Sequence, residues 1–376
     1  MDAFKPGLED VVVAETALSW VDGEGGRLVV RGHPIEALAT RSFEDVCGLL
    51  WDGALPAPAR AAAIRRGLGR GRAAAFRALE RVGPAALEAE DAMAALRAGV
   101  AALAAPDEPL DAAGFALAGA ITVILAAWHR RSTGADPVAP DPARGHADDL
   151  LRMLGGRPAP HALVRGLDSY LVTVAEHGMN ASTFTARVVA STRSDAVSAV
   201  VAALGSLKGP LHGGAPGPVL DMLDAIGSAR RAPAWLRAEL AAGRRIMGLG
   251  HRIYRVRDPR ALVLETALAE LERAGVASRY LPLARAVERA AVAVLDAHRP
   301  GRRLRTNVEF YTAVLLDALG VPRSLFTAVF AAGRVAGWLA HVAEERAVAR
   351  LIRPRQRYVG PLPDGTEAGP SLRAAG

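Results

Sequence analysis

The 376-residue sequence predicts an all-α fold with one small β element near its N-terminus. Three observations carry that reading. Apolar residues make up 51% and aromatics only 5%, with Ala, Leu, Val and Arg dominating, a mix that favours helices over strands. Most of the chain places its apolar residues at helical spacing. The best strand signal is confined to residues 16–32. A chain of this length forms one large core or two lobes, and domain-size priors lean towards two.

Taken in order, "TALSWVDGEGGRLVVRG" (16–32) sets two short alternating runs on either side of a "DGEGG" turn, a small hairpin. "SFEDVCGLLWDG" starts a helix with Ser42 as N-cap and acids in the first turn. Residues 57–105 are Ala- and Arg-rich with helical periodicity. The longest apolar run, within a helix over 112–131, is short of the roughly 20 residues a membrane span needs and reads as a buried helix. "STGADPVAPDPARGHADD" (132–149) breaks the pattern with Pro, Gly and Asp and reads as a surface loop. It has the composition of a linker, but helical patterning resumes at once. Further helices are expected at 147–154, 161–177, 181–191, 195–205, 217–226, 232–242, 259–274, 282–298, 309–319 and 324–349. The tail from Pro354 is rich in Pro, Gly and Arg, and its last residues are expected to be mobile.

Composition excludes several classes. The net charge of +7 comes from arginine, since Lys5 and Lys208 are the only lysines. No nucleic-acid module and no basic run interleaved with aromatics accompanies it, so no nucleic-acid partner is expected. The guanidinium fork instead suits anionic small molecules, because it matches carboxylate and phosphate. The single cysteine, Cys47, rules out an internal disulfide and a cysteine metal cluster and reads as a buried apolar residue. "MDAFKPGLEDVVVAE" has no basic segment followed by an apolar one, so no signal peptide is expected, and the protein is expected to be soluble, intracellular and free of membrane contact.

The histidines are unevenly informative. His33, His129, His146, His161 and His298 lie in turns or at polar helix ends and read as solvated or structural. His341, on a long helix in "GWLAHVAEE", reads as packing or capping. His177 in "AEHGMNAS", His212 in "LKGPLHGGAPG" and His251 in "IMGLGHRIYRVRDPR" sit where glycines let the backbone turn sharply and approach a ligand. Each alone is as readily a turn histidine as a catalytic one. No "HExxH" pattern or ligand spacing on one helix suggests a metal. Arg260 closes "RVRDPR", Arg353 sits in "LIRP", and Arg334 lies inside the apolar "FAAGRVAGW". A charge in Arg334's setting needs a partner, either a structural ion pair or a bound carboxylate. Glu309, in "RTNVEFYTAVLL", is either a first-turn acid favoured by the helix dipole or a base.

Together the stretches "HGMNASTFTARVVAST", "GPLHGGA", "GLGHRIYRVRDPR", "NVEFYTAVLLDALGVP" and "GRVAGWLAH…LIRP" resemble, in order and spacing, the citrate synthase family, over nearly the whole chain. The resemblance implies a two-domain helical homodimer whose domains close over the substrates, with a small domain at 214–320 and a large one at 1–213 and 321–376. It implies the tricarboxylic acid cycle reaction in which acetyl-CoA condenses with oxaloacetate and the product is hydrolysed to citrate and CoA, in the cytoplasm. Acetyl-CoA would be a co-substrate, with no permanently bound cofactor and no metal. By motif position Glu309 would be the base, His212 a neutral donor to the enolate oxygen, and His251 the partner of the oxaloacetate ketone. His177, Arg260 and Arg334 match substrate-binding positions, and Arg353 matches the arginine contributed across the dimer interface. Asn180, Ser182 and Asn307 match supporting polar positions. Arg255 matches a CoA-phosphate contact, and the turn of Gly248, Leu249 and Gly250 would lie against the adenine end of CoA.

Two departures stand out. The family's base is most often Asp, and the extra methylene of Glu309 moves the carboxylate by roughly 1.5 Å on a fixed backbone. A misplacement of about 1 Å can cost on the order of a hundredfold in rate. The rest of the constellation is intact, which favours a branch whose backbone accommodates Glu over an inactive homologue. "GGAPGPV" after His212 also differs, with Pro216 expected to stiffen a helix start. The alternative readings are a 2-methylcitrate synthase using propionyl-CoA and a non-catalytic CoA- or dicarboxylate-binding homologue.

Overall fold

The computed structural model describes residues 5–214, 216–298, 301, 303–361 and 363. The hairpin forms as antiparallel β1 (Ser19–Asp22) and β2 (Arg27–Val30), with Ser19 opposite Val30. Asp22 stiffens the turn by accepting the Gly25 amide at 2.8 Å and pairing with Arg27. A two-residue β3 (His33–Pro34) pairs with β2, so the element is a three-stranded sheet and not a bare hairpin.

Helices follow. A single turn, α1 (Ile35–Leu38), leads to α2 (Phe43–Asp52), where Ser42 caps as expected and Asp45 returns the bond to the Ser42 amide, completing a capping box. The stretch 57–105 divides into α3 (Pro58–Val82), α4 (Pro84–Leu87) and α5 (Ala92–Ala101). The break comes at Gly83, whose positive φ of 79° precedes a proline. Then come α6 (Leu110–Ser132) and, after the expected loop, α7 (His146–Gly155), α8 (His161–Ala175), α9 (Ala181–Ser191) and α10 (Ala196–Leu207). The chain continues through α11 (Pro216–Ile226), α12 (Ala232–Ala241), α13 (Pro259–Arg273), α14 (Leu281–His298) and α15 (Val308–Ala318). A 3₁₀ turn at Arg323–Leu325 then opens α16 (Phe326–Val348). Pro216 starts α11, the position where a missing N–H costs nothing. The expected mobility of the last residues of the tail falls outside the described residues.

Two apolar helices form the centre. α3 and α6 meet backbone to backbone: a Cβ on Gly71 would fall 1.8 Å from the Phe115 carbonyl oxygen. α16 packs against α6, α8, α9 and α10. Leu110–Ser132 and Arg323–Val348 are long and apolar enough to cross a membrane, but their apolar windows are 72% and 89% buried inside the structure. Cys47 is buried in the core, as expected. His146, expected to be solvated or structural, is fully buried beside Arg72, whose guanidinium pairs with Asp149 at 2.8 Å and ties the 132–149 loop down. The chief consequence for function is convergence. The α8–α9 junction, the turn after α10, the segment before α13 and the start of α15 are brought to one side of α16.

Candidate active site

At the α8–α9 junction Asn180 caps α9, its Oδ1 accepting the Thr183 amide at 3.1 Å while its Nδ2 donates to the Gly178 carbonyl. Those two bonds fix the amide's orientation and hold buried His177 in place between the helices. Ser182, one residue into α9, gathers three partners. Its hydroxyl lies 2.9 Å from Asn180 Oδ1 and 2.8 Å from His212 Nε2, and it accepts the Trp338 indole N–H at 3.1 Å. His212 is thus reached by α9 and α16 although its own turn belongs to neither. Its ring meets Phe330 edge-on at 6.3 Å. Burial, then the Arg334 charge, pulls its pKa down to about 4, so the ring is neutral.

The segment bearing His251 is stitched to the start of α15. Gly250 donates to the Arg305 carbonyl at 2.7 Å, Asn307 donates through its backbone to Gly248 O at 3.0 Å, and the Asn307 side chain donates to Gly250 O at 2.9 Å. Asn307 also caps α15, its Oδ1 accepting the Glu309 amide at 3.1 Å. Gly248 has a φ of 72°, and a Cβ there would lie 2.8 Å from Phe310, so only glycine fits the crossing. His251 Nδ1 accepts the amides of Ile253 (3.0 Å) and Tyr254 (3.2 Å). A neutral ring with Nδ1 as acceptor carries its proton on Nε2, so His251 presents a donor outward. Burial and the Arg260 charge depress its pKa to about 4.

Two buried arginines flank these rings. Arg260, in the first turn of α13, grips its own N-cap Asp258 bidentately, at 3.0 and 2.7 Å. Arg334, on α16, donates Nε to the Val174 carbonyl and lies 4.7 Å above the Phe330 ring. Among the described residues no carboxylate lies within ion-pair distance of it. Burial therefore lowers its pKa to about 10, with the charge of Glu176 opposing. Of its two sequence readings, the structural ion pair is absent among the described residues. Glu309 is half-buried, and its carboxyl accepts no hydrogen bond among the described residues. Burial raises its pKa to about 7 against the downward pull of Arg260 and Arg334. Its charge is felt by both arginines and by buried Tyr170.

The structure therefore gathers His177, His212, His251, Arg260, Arg334, Glu309, Asn180 and Asn307. It does not gather Arg353. That residue is exposed beyond α16, where the Ile352 amide donates to Ser191 Oγ at the far end of α9 from Asn180. An 11-residue helix, roughly 16 Å long, separates the two ends. Arg255 is also exposed: its amide donates to the Gly23 carbonyl of the β1–β2 turn at 2.8 Å and its guanidinium is unpaired among the described residues. His341 packs as expected, with Nδ1 3.0 Å from Arg187 and Nε2 3.1 Å from Glu176.

Three participants escaped sequence reasoning. Tyr254 touches both His177 and His251. Asp258 braces Arg260. Buried Glu176, beside His177, accepts Ser19 Oγ–H at 2.8 Å and the Gly178 amide at 2.6 Å. All three flank quoted motif residues, but nothing in their local pattern marks them. Among the described residues no cluster of three His, Cys, Asp or Glu is placed to hold a metal ion.

Comparison with known proteins places this geometry. Residues 7–355 match the family described as "Citrate synthase, C-terminal domain". The citrate synthase of Haloferax volcanii is 40% identical over 370 residues, covering 95% of this chain and 96% of that one. "Putative citrate synthase 2" of Mycobacterium tuberculosis is 40% identical, covering 97% and 95%. The crystal structure of citrate synthase from Thermotoga maritima superimposes with a TM-score of 0.85 at 34% identity, over 99% of both chains. The Thermoplasma acidophilum citrate synthase, solved as a ternary complex with carboxymethyl coenzyme A and oxaloacetate, matches with a TM-score of 0.85 at 27% identity, over 99% and 100% of the chains. With the motifs, the helical fold and the gathered site in agreement, this chain belongs to the citrate synthase family.

Proposed function

We propose that this chain condenses acetyl-CoA with oxaloacetate and hydrolyses the resulting thioester to citrate and free CoA. The observation that carries the reading is Arg334: a buried guanidinium with no carboxylate partner among the described residues, beside Arg260 and three neutral imidazoles, is a site built for a dianion. Oxaloacetate brings two carboxylates to two arginines. His251 Nε2–H donates to its ketone oxygen, and His177 adds a further polar contact.

Glu309, with a pKa of about 7, removes a proton from the acetyl methyl group. The developing enolate oxygen takes a hydrogen bond from His212. Ser182 donates its single hydroxyl proton to Asn180 Oδ1; turned instead to His212 Nε2, 2.8 Å away, once substrate is bound, that proton would leave Nδ1 as the N–H that faces the thioester. The methyl carbon then bonds to the ketone carbon, and the new alkoxide receives a proton by way of His251. Water completes the reaction by cleaving the thioester and releasing the CoA thiol.

The reading extends to the assembly. Residues 214–320 form a small domain that closes on a large one built from 1–213 and 321–376. Arg353, remote from its own chain's site, completes the neighbouring site in a homodimer. Arg255 and the Gly248, Leu249 and Gly250 turn meet the phosphate and adenine ends of CoA. The burial of both long apolar helices supports a soluble, cytoplasmic enzyme. The test is thiol release from acetyl-CoA or propionyl-CoA in the presence of oxaloacetate. Release with acetyl-CoA is expected. Oxaloacetate binding with no release from either thioester would sink the reading, and a preference for propionyl-CoA would move it to 2-methylcitrate synthesis.

A further inference from the structure

The residue that joins the two substrate-side histidines is Tyr254. Its hydroxyl lies 3.2 Å from His177 Nε2, its amide donates to His251 Nδ1 at 3.2 Å, and its ring is 2% exposed. The next amide, Arg255 N, is anchored 2.8 Å from the Gly23 carbonyl, so the tyrosine is held from behind by the N-terminal sheet. That sheet also holds the other histidine's segment, through the Gly178 amide, which donates to Ser19 Oγ at 3.0 Å.

We propose that Tyr254 is a positioning residue that fixes the tautomers of both histidines, donating its hydroxyl to His177 Nε2 so that Nδ1–H faces the substrate, and its amide to His251 Nδ1 so that Nε2–H does. The inference rests on the citrate synthase reading, because the direction of the first bond follows from the substrate's charge. Burial, then the Arg260 charge, holds His177 neutral, so it has one N–H and one lone pair. Were the tyrosine the acceptor, His177 would aim its remaining lone pair at a dianion. Burial keeps the phenol protonated far above neutral pH, so the donor is always present.

Tyr254→Phe tests this, because it removes the hydroxyl and keeps the ring and the amide. In ¹⁵N-histidine NMR spectra, with His177 assigned from a His177→Gln variant, the parent should show His177 as Nδ1–H and His251 as Nε2–H. The variant should show His177 shifted towards Nε2–H and His251 unchanged, because its constraint is backbone. The KM for oxaloacetate should rise by about tenfold, near the loss of one charge-assisted contact, while kcat falls less than KM rises. A parent His177 in the Nε2–H form, a variant with an unaltered His177 tautomer, or an unchanged oxaloacetate KM would each overturn the assignment. If the parent released no thiol at all, the functional reading would fail, and the tautomer spectra would still decide Tyr254's role.

Discussion

Glu309→Gln separates the chemistry of the base from the energetics of holding it. The substitution keeps size and shape and removes the charge. Condensation should fall by about 10²–10⁴-fold or more, the usual contribution of a general base, while oxaloacetate affinity measured by calorimetry stays within a few-fold. Stability should change in the opposite direction. Glu309 titrates near its ordinary 4.5 when unfolded and near 7 when folded. The folded protein therefore binds the proton more tightly than the unfolded one between those values. Stability is fully retained below about pH 4.5, is lost as pH rises towards 7, and stays lost above it. At about 1.36 kcal/mol per pKa step the ceiling is about 3.4 kcal/mol. Water reaching the half-buried residue reduces this to about 1–3 kcal/mol. Glutamine escapes the loss. Urea unfolding of both proteins at pH 5 and pH 8 should show the variant more stable by that amount at pH 8 and by much less at pH 5. A variant that turned over near the parent rate, or one less stable at pH 8, would refute the assignment of Glu309 as a buried base.

Two further substitutions probe reach and assembly. Glu309→Asp should lower kcat by about 10–100-fold, because Asn307 and the Gly248–Phe310 crossing clamp the backbone and the shorter carboxylate cannot advance by the missing roughly 1.5 Å; a faster variant would show a site set for Asp. Arg353→Ala should be nearly inactive alone, yet mixing and reassembly with inactive Glu309→Gln should restore about a quarter of the sites, since each mixed dimer holds one site with Glu309 and an opposing Arg353. Absence of any recovery after subunit exchange would place Arg353 outside the neighbouring site.

What the sequence disclosed was local abnormality. Arg334 stood out because a charge amid Phe330, Val335 and Trp338 contradicts its surroundings, and the three histidines because glycines crowd them. The helices were legible because their apolar faces repeat. Partnership was hidden. Tyr254 looks like any tyrosine until His177, 77 positions away, meets its hydroxyl. Glu176 needs Ser19, 157 positions upstream, before its role as a brace is visible. β3 is two residues long, too short for alternation to register, and exists only because β2 offers an edge. The stretch 57–105 read as one helical region because periodicity persists across it, whereas Gly83 and Pro84 divide it through backbone conformation, which apolar spacing does not encode.

On the proposed assignment of Glu309 as the base, the arginines also govern how strong it is at the moment it acts. Burial pushes its carboxyl up to about 7, Arg260 and Arg334 pull it down, and the charge of Asp258 pushes it up. Oxaloacetate alters that balance in one direction. Its carboxylates engage the guanidiniums and cancel their pull, they add negative charge beside Glu309, and they displace water; each effect raises the pKa further. Bound oxaloacetate would thus make the proposed base stronger, which suits an enzyme that must deprotonate a weakly acidic methyl group. ¹³C NMR of the Glu309 carboxyl should give a midpoint near 7 without substrate and a higher one with saturating oxaloacetate. The acid limb of kcat/KM for acetyl-CoA, measured with oxaloacetate saturating, should follow the higher value. His212 and His251 start from about 4 and remain neutral across that limb, so the limb belongs to the carboxyl. A midpoint that stays put or falls on adding oxaloacetate would mean that the arginines do not face the substrate's carboxylates, and the placement of the dianion would have to be redrawn.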